Sequence, residues 1–259
     1  MFDKKKILRD LRTKRIGSKV YVFESIDSTN ACARTLAEAG ADDGTIVVSD
    51  FQTEGKGRLG RQWLANPGTS LLFSTILRPT VSSASAGLLS FFAAVSVARA
   101  LEKEVKMPVE CKWPNDLLLN ERKVSGILLE NSVDRQELSY SVAGIGINVT
   151  QKSFDASLQQ KATSIARETG KAPDRISLLR SILREMDVLY GDIQANQFET
   201  ILKEWNARCT MFGKNVTILL QDQPVQGSAV GLSREGGLIL DTPQGEKTVF
   251  AGDVTILKD

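Results

Sequence analysis

The sequence of 259 residues predicts an α/β (α+β) fold in two parts, a mixed α/β domain over 1–212 and a small all-β domain over 213–259. Helix-like and strand-like segments are mixed as far as Met211, without the regular strand–helix alternation of a doubly wound sheet. Beyond Met211 the sequence contains only short apolar segments separated by turn residues. A chain of this length accommodates one large domain together with a small one.

The helices of the first domain are predicted from apolar spacing and from capping residues. Helical spacing predicts a first helix over 4–14, and the N-cap-rich segment 27–30 opens a second helix that ends at Gly40. The longest apolar stretch, 88–101, is fourteen residues long, which is too short to cross a bilayer. It belongs to a predicted helix, and the later helices are expected at 88–105, 176–190 and 198–209.

The strands are predicted from β-branched and apolar runs that are bounded by turn residues. A hairpin turn is expected at 120–123, between two of the strands. In the first domain the strands are 20–23, 45–51, 70–77, 109–112, 117–119, 124–130 and 138–149. In the second domain they are 216–220, 225–232, 238–241 and 247–257, which suggests a small barrel.

The composition excludes several classes of active site. The chain has 33 Lys and Arg, 31 Asp and Glu, a net charge of +2 and no histidine. A Ser-His-Asp triad, a Cys-His dyad and a histidine-ligated metal are therefore excluded. The three cysteines, at 32, 111 and 209, form no CxxC pair and fit a reducing compartment. The small net charge does not indicate nucleic-acid binding.

A glycine-rich basic segment, 55–61, alternates three glycines with three basic residues. Glycines allow backbone amides to approach an anion closely, and lysine and arginine neutralise its charge. The segment lacks the Gly-Lys-Ser/Thr ending of a Walker loop. It therefore predicts an anion-binding loop, with a solvated mobile loop as the ordinary alternative.

Three further segments carry candidate chemistry. Lys112-Trp113-Pro114-Asn115-Asp116 forms a rigid corner that presents a carboxylate at a strand entry, where an ordinary hairpin turn is equally expected. Lys123 precedes an apolar strand and could project its ammonium into a pocket, although such lysines are more often solvated. Gly144 and Gly146 lie within a strand, which indicates the close approach of a ligand or a helix.

The ordered motifs of this chain resemble the catalytic domain of biotin–protein ligases, also called biotin–[acetyl-CoA-carboxylase] ligases. The motifs are Ser-Thr-Asn at 28–30, Gln52, GKGRLGRQW at 55–63, KWPND at 112–116, RKVSGILLE at 122–130 and GIGIN at 144–148. The resemblance runs from about residue 16 into the all-β tail. It implies a class II synthetase-like mixed sheet, as in biotin–lipoate ligases, with a C-terminal SH3-like barrel.

The resemblance also implies an enzyme that makes biotinyl-5′-AMP from biotin and ATP and then transfers biotin to a lysine of biotin carboxyl carrier protein. Mg²⁺ would arrive with ATP, without protein ligands. The implied catalytic residues are Lys123, Arg58 and Asp116. The implied biotin-binding residues are Ser28, Thr29, Asn30, Gln52, Lys56, Gly57, Arg58 and Lys123. The implied nucleotide-binding residues are Arg58, Arg61, Trp63, Asn115, Lys123 and Asn148.

Two departures from the family pattern stand out. Lys56 replaces the arginine of the usual GRGRxGR loop, which keeps the charge and loses the forked donor geometry. Only about fifteen residues precede the resemblance, so either a form without the N-terminal winged-helix repressor domain or a catalytic domain excised from a longer protein is expected, with no direct DNA binding. A cytoplasmic enzyme without membrane attachment is expected, and both a monomer and a homodimer stay open. The alternatives are a lipoate–protein ligase-type acyltransferase and a non-catalytic biotinyl-adenylate sensor.

Overall fold

A computed structural model describes residues 1–135, 137–220 and 223–257. Its main sheet has seven strands in the order β1-β2-β3-β7-β6-β5-β4, and all neighbours are antiparallel except β1 and β2. The predicted mixed α/β class is therefore confirmed. The strands are β1 Val20–Ile26, β2 Ile46–Gln52, β3 Ser70–Leu77, β4 Glu110–Lys112, β5 Asp116–Leu119, β6 Arg122–Asp134 and β7 Glu137–Asn148.

Helices cover both faces of this sheet. On β2, Ile46 and Val48 belong to the large core shared with α3 and α5, while Val47 faces the opposite way and packs with α2. This alternation is the two-residue period of a strand buried on both faces. The helices are α1 Lys4–Leu8, α2 Thr29–Glu38, α3 Leu88–Val105, α4 Ile165–Thr169, α5 Arg175–Gln194 and α6 Glu199–Arg208.

The apolar helix α3 matches the predicted helix over 88–105 at both ends, and the fourteen-residue apolar stretch lies within it. Counted from the preceding turn at Ser83 it runs for 23 residues to Val105, which is long and apolar enough to cross a membrane. However, 72% of its apolar window is buried inside the protein, against the main sheet, α5 and α6. It is therefore packed as the central core helix of the domain.

The N-terminal helix is shorter than predicted. It ends at Leu8 because Arg9 has an extended backbone with ψ 118°, and the left-handed φ angles of Asp10 and Arg12, 55° and 56°, prevent the helix from resuming. Leu11 is still buried, although in a loop. The short helix α4 was not predicted, because its five residues lie in a polar segment that gives little periodic signal.

The C-terminal part forms a five-stranded antiparallel sheet in the order β11-β10-β9-β8-β12. The single strand predicted over 247–257 is wrong, because Gly252 with φ 126° breaks it and sends the two halves to opposite edges. Over the described part of the chain no pairing closes this sheet into a barrel; residues 221–222 and 258–259 of the predicted 213–259 domain lie outside it. The strands are β8 Asn215–Leu220, β9 Gln223–Leu232, β10 Leu238–Thr242, β11 Gly245–Val249 and β12 Asp253–Ile256.

The two sheets meet at the Trp113-Pro114 corner. The Trp113 indole Nε1 donates to the carbonyl of Gly236, at 3.1 Å. A Cβ atom at Gly236 would lie 2.5 Å from Cε2 of Phe91 on α3. The C-terminal sheet is thus held directly against the corner that follows β4.

We expect Gly236→Ala to destabilise the protein more than Gly213→Ala. Both glycines have positive φ, 84° and 79°, so both variants lose about 1 kcal/mol or somewhat more through backbone strain. Only Gly236 has a neighbour within 4 Å of the new methyl group, so the overlap with Phe91 adds about 1–3 kcal/mol. Urea unfolding measures both losses, and equal losses would contradict the described packing between the sheets.

Candidate functional site

All thirteen predicted site residues line one cavity of about 460 Å³. They come from six separate places in the chain, which the fold brings together: the start of α2, the end of β2, the basic loop, the β4–β5 corner, the start of β6 and the end of β7. The residues are Ser28, Thr29, Asn30, Gln52, Lys56, Gly57, Arg58, Arg61, Trp63, Asn115, Asp116, Lys123 and Asn148. Their individual roles stay predictions.

One end of the cavity is lined by uncharged polar side chains. Oε1 of Gln52 accepts from the backbone N–H of Thr29 at 2.7 Å and from the Thr29 hydroxyl at 2.9 Å. The Ser74 hydroxyl lies 2.8 Å from Thr29 Oγ1 and 2.6 Å from Asn30 Oδ1. Nδ2 of Asn30 donates to Glu130 at 2.6 Å. These bonds fix each side chain, so this end presents preformed donors and acceptors.

Ser28 explains why the helix begins at this point. Its extended backbone precedes α2, and its side-chain oxygen accepts from the Ala31 N–H at 3.4 Å, as an N-cap does. Capping is the ordinary role that the sequence already suggested for this segment. The cap also holds Thr29 and Asn30 in the first turn, with both side chains buried against the sheet.

Gly144 allows Asn30 to lie directly on the backbone of β7. A Cβ atom at Gly144 would be 1.9 Å from Asn30 Oδ1, so no larger residue fits without moving the amide. The predicted close approach at this strand glycine is therefore an approach of α2, the alternative that involved a helix.

The floor of the cavity is a pair of glycines on neighbouring strands. Gly126 and Gly146 are direct partners in the β6–β7 register. The Trp63 indole lies on them, because a Cβ at Gly146 would be 2.6 Å from its Cε2 and a Cβ at Gly126 would be 3.0 Å from its Cζ3. The indole Nε1 is buried and has no hydrogen-bond partner among the described residues. We call Gly126 and Gly146 the glycine floor.

The basic loop is a tight hairpin. The N–H of Gly57 donates to the carbonyl of Arg61 at 2.7 Å, and the N–H of Trp63 donates to the carbonyl of Gly55 at 2.9 Å. Its tip turns through Leu59, which has a left-handed φ of 54°. The described loop thus has internal hydrogen bonds, unlike the solvated mobile loop that was its ordinary alternative.

The other end of the cavity is basic. Lys123 Nζ lies 2.6 Å from Oδ1 of Asp116 and 5.7 Å from the ring centre of Trp63. Arg58 donates to Oδ1 of Asn115 at 3.3 Å, and Nδ2 of Asn115 donates to the Ile127 carbonyl at 2.6 Å. Lysine and arginine side chains from the basic loop, from β4, from β6 and from the segment that contains Lys161 thus line the same cavity, within reach of a single ligand.

Burial affects the pKa of the Arg58 side chain. Removal from solvent lowers the pKa of its guanidinium, and the carboxylates of Asp253 and Asp116 partly offset that effect. A cation held in a poorly solvated place interacts more strongly with an incoming anion than an exposed one does. Arg58 is therefore well placed to bind a negatively charged ligand.

Several lining residues escaped the sequence analysis. Asp253 on β12 pairs with Arg61, so the second sheet contributes to the cavity, and nothing near Asp253 in the sequence indicated this. Lys112 belongs to a motif that was singled out, yet only its Asp and Asn were assigned. Ser74 does not itself line the cavity, but it bonds to Thr29 and Asn30, and it could have been noticed as a polar residue inside the apolar strand β3.

A short segment after β7 closes one side. The N–H of Lys123 donates to the Lys161 carbonyl, and the N–H of Thr163 donates to the Lys123 carbonyl, both at 2.8 Å. Nδ2 of Asn148 donates to the carbonyl of Thr163 at 3.0 Å. These bonds explain the buried position of Asn148, whose amide nitrogen is already engaged by the protein.

The cavity is not a conventional metal site. Within 1–135, 137–220 and 223–257 there is no cluster of three or more cysteine, aspartate or glutamate side chains that could hold a metal ion. Two of the three carboxylates that line the cavity, Asp116 and Asp253, are each paired with a cation. A divalent cation in this cavity would thus need most of its oxygen ligands from a substrate.

Comparisons with known proteins show the family to which this chain is similar. Residues 22–148 match the biotin/lipoate A/B protein ligase family, and residues 211–257 match the biotin protein ligase C terminal domain. The bifunctional ligase/repressor BirA of Bacillus spizizenii is 33% identical over 248 residues, which cover 95% of this chain and 76% of that protein. The biotin–[acetyl-CoA-carboxylase] ligase of Mycobacterium tuberculosis is 32% identical over 96% of this chain and 95% of that protein.

A solved structure gives the same result for the fold. Biotin protein ligase from Aquifex aeolicus, in complex with biotin and ATP, superimposes with a TM-score of 0.79. It is 31% identical, and the match covers 93% of this chain and all of that chain, 100%. The fold and the cavity thus define an enzyme class that ligates an acid to a protein. The chain belongs to the biotin protein ligase family.

We expect Gly144→Ala to cost about 1–3 kcal/mol of unfolding free energy, because the new methyl group overlaps the Asn30 amide and forces the buried network apart. Gly231→Ala is the matched control, a strand glycine with no atom within 4 Å of the new carbon. Its expected change is within about 0.5 kcal/mol. Urea unfolding of both variants measures these changes in the free energy of unfolding. A fully stable Gly144→Ala variant would contradict the described contact.

Proposed function

We propose that this chain is an ATP-dependent biotin–[acetyl-CoA-carboxylase] ligase. It forms biotinyl-5′-AMP and then transfers biotin to one lysine of biotin carboxyl carrier protein. The observation that carries the proposal is the division of one cavity into an uncharged polar end at Thr29, Asn30 and Gln52 and a basic end at Arg58 and Lys123. Biotin and ATP divide in the same way, into a neutral bicyclic head and a polyanion.

In this proposal the polar end binds the biotin head. The ureido group offers two N–H donors and one carbonyl acceptor, and Ser28, Thr29, Asn30 and Gln52 present oxygens and amides of both kinds. Because hydrogen bonds already fix these side chains, little conformational entropy is lost on binding. Lys56 and Gly57 belong to the hairpin that covers the bound ligand.

The basic end binds the nucleotide. Arg58, Arg61 and Lys123 supply positive charge toward the phosphates, while Asn115 and Asn148 lie beside them as polar contacts. The Trp63 indole rests on the glycine floor between the two ends and supplies an apolar surface for flat rings. Mg²⁺ comes with ATP as part of the substrate.

The first half-reaction needs no general base. A carboxylic acid with a solution pKa of about 4–5 is ionised at neutral pH. Its oxygen attacks the α-phosphorus, the bond from that phosphorus to the bridging oxygen breaks, and pyrophosphate leaves with the electron pair. The main barrier is repulsion between an anion and a polyanion, which Lys123 and Arg58 reduce while they hold the reactants in line.

The second half-reaction needs a proton acceptor near the incoming lysine. Asp116 is a cavity carboxylate whose partner, Lys123, lies 2.6 Å away. When Lys123 turns toward the phosphate of the adenylate, the carboxylate becomes free to orient the acceptor amine and to take its proton. The amine then attacks the acyl carbon, and AMP leaves.

The domain boundary, the cellular compartment and the oligomeric state are proposals as well. The chain divides at 212/213 into a catalytic part and an SH3-like part. The three free cysteines and the homology to bacterial ligases support a cytoplasmic enzyme. The exposed edge strand β1 leaves room for either a monomer or a homodimer.

The central test is pyrophosphate exchange into ATP. With the purified protein and MgATP, we expect exchange that depends on biotin, with lipoate less effective by at least about 10²-fold. The lipoate alternative predicts the reverse preference. A non-catalytic adenylate sensor would show no exchange with either acid, although it would bind biotinyl-5′-AMP.

We expect Lys123→Ala and Arg58→Ala each to reduce adenylate formation or retention by about 10²-fold, because each removes a charge that faces the reacting phosphate. Arg34→Ala, an exposed arginine on α2 outside the cavity, is the control and should behave as wild type. Pyrophosphate release and the dissociation rate of the adenylate are measured. Unchanged values for both cavity variants would refute the assignment, whereas near-normal synthesis with faster adenylate loss would assign Arg58 to retention.

A further inference from the structure

Four residues form one row across the floor of the cavity. Gly146 on β7 pairs with Gly126 on β6, Gly126 pairs with Asp116 on β5, and Asp116 pairs with Lys112 on β4. Directly paired residues of neighbouring strands project to the same face of a sheet. Lys112 therefore shares a face with the glycine floor and with Asp116, at the end of the row.

The row gives the cavity a direction. The uncharged end lies over β7, where Asn30 contacts Gly144, and β4 is three strands away. Three strand spacings of about 4.8 Å make about 14 Å. The separation matches an extended ligand that begins with a neutral head over β7 and reaches a charged tail over β4.

Lys112 forms no ion pair among the described residues, in contrast to two other cavity cations. Lys123 pairs with Asp116, and Arg61 pairs with Asp253. Among the described residues no carboxylate lies within 4.0 Å of the Lys112 ammonium, although its side chain is half-buried and lines the cavity. Burial lowers the pKa of Lys112, and Asp116 partly offsets this. An ammonium in this position favours the arrival of an anion.

The chemistry of the first half-reaction indicates which anion reaches Lys112. In phosphoryl-type substitution the attacking and leaving oxygens lie on opposite sides of the phosphorus. Biotin approaches from the β7 side, and Lys123 at the start of β6 holds the α-phosphate. The leaving group must then point away from β7, toward β5 and β4.

We propose that Lys112 binds the β- and γ-phosphates of ATP and stabilises the pyrophosphate that leaves. The proposal rests on the ligase function proposed above and adds a binding residue to it. As the bond between the α-phosphorus and the bridging oxygen breaks, negative charge grows on pyrophosphate, and the Lys112 ammonium offsets that charge. The ammonium does not contact biotinyl-5′-AMP, which lacks both of these phosphates.

This assignment separates the two half-reactions. Lys112→Met keeps an unbranched side chain that is one atom shorter, and it removes the charge. We expect biotin-dependent pyrophosphate exchange to fall by about 10²-fold, with a raised KM for ATP and an unchanged KM for biotin. Transfer from supplied biotinyl-5′-AMP to biotin carboxyl carrier protein should stay within about twofold of wild type. Lys112→Arg should recover part of the exchange, because it restores the charge.

The controls distinguish the possible failures. Lys203→Met, an exposed lysine on α6, should leave both half-reactions unchanged. Equal losses of exchange and transfer in Lys112→Met would overturn the proposal, because they would indicate a general structural role or contact with the adenylate. Unchanged exchange would overturn it as well. If wild type shows no biotin-dependent exchange, the proposed function itself fails, and Lys112 loses its role with it.

Discussion

The site depends on bare backbone at the centre of the main sheet. Asn30 and the Trp63 indole both lie directly on β6 and β7, and a single methyl group at Gly144 or Gly146 would overlap them. Glycine weakens a strand, so its presence at three adjoining places indicates a strong requirement for close approach. Because these glycines have no side chains, α2 can pack its capped first turn against the sheet at Gly144. The basic hairpin can fold over the neighbouring glycine floor for the same reason.

The charges of the cavity follow from that arrangement. The hydrogen-bonded network around Thr29 satisfies polar groups without any cation, whereas Lys123 and Arg58 come from elements at the opposite side of the floor. The second sheet contributes Asp253, which pairs with Arg61 and helps to hold the loop in place. A chain without histidine can therefore serve a reaction in which the attacking carboxylate is already ionised and the protein supplies charge, closure and placement.

Much of the fold could be predicted, because β3 and α3 have strong patterns and match the structure at both ends. The thirteen predicted site residues all line one cavity; local sequence singled out the basic loop, Asp116 and Lys123, and the ordered motifs supplied the rest. The long-range partners could not be predicted from the sequence, because Asp253 lies 192 residues from Arg61 and no periodic pattern links them. The strand predicted over 247–257 failed since a positive φ at Gly252 outweighed its β-branched composition.

The orientation of the ligands in the cavity can be seen in a crystal structure of the protein with biotin and a non-hydrolysable ATP analogue. We expect the ureido ring against Thr29 and Asn30, the α-phosphate beside Lys123, and the terminal phosphates directed toward Lys112. The reverse orientation is physically reasonable, since the N-terminus of a helix such as α2 also attracts anions. Phosphates bound at the start of α2, with the ureido ring near Lys112, would contradict the proposed orientation of biotin and ATP in the cavity.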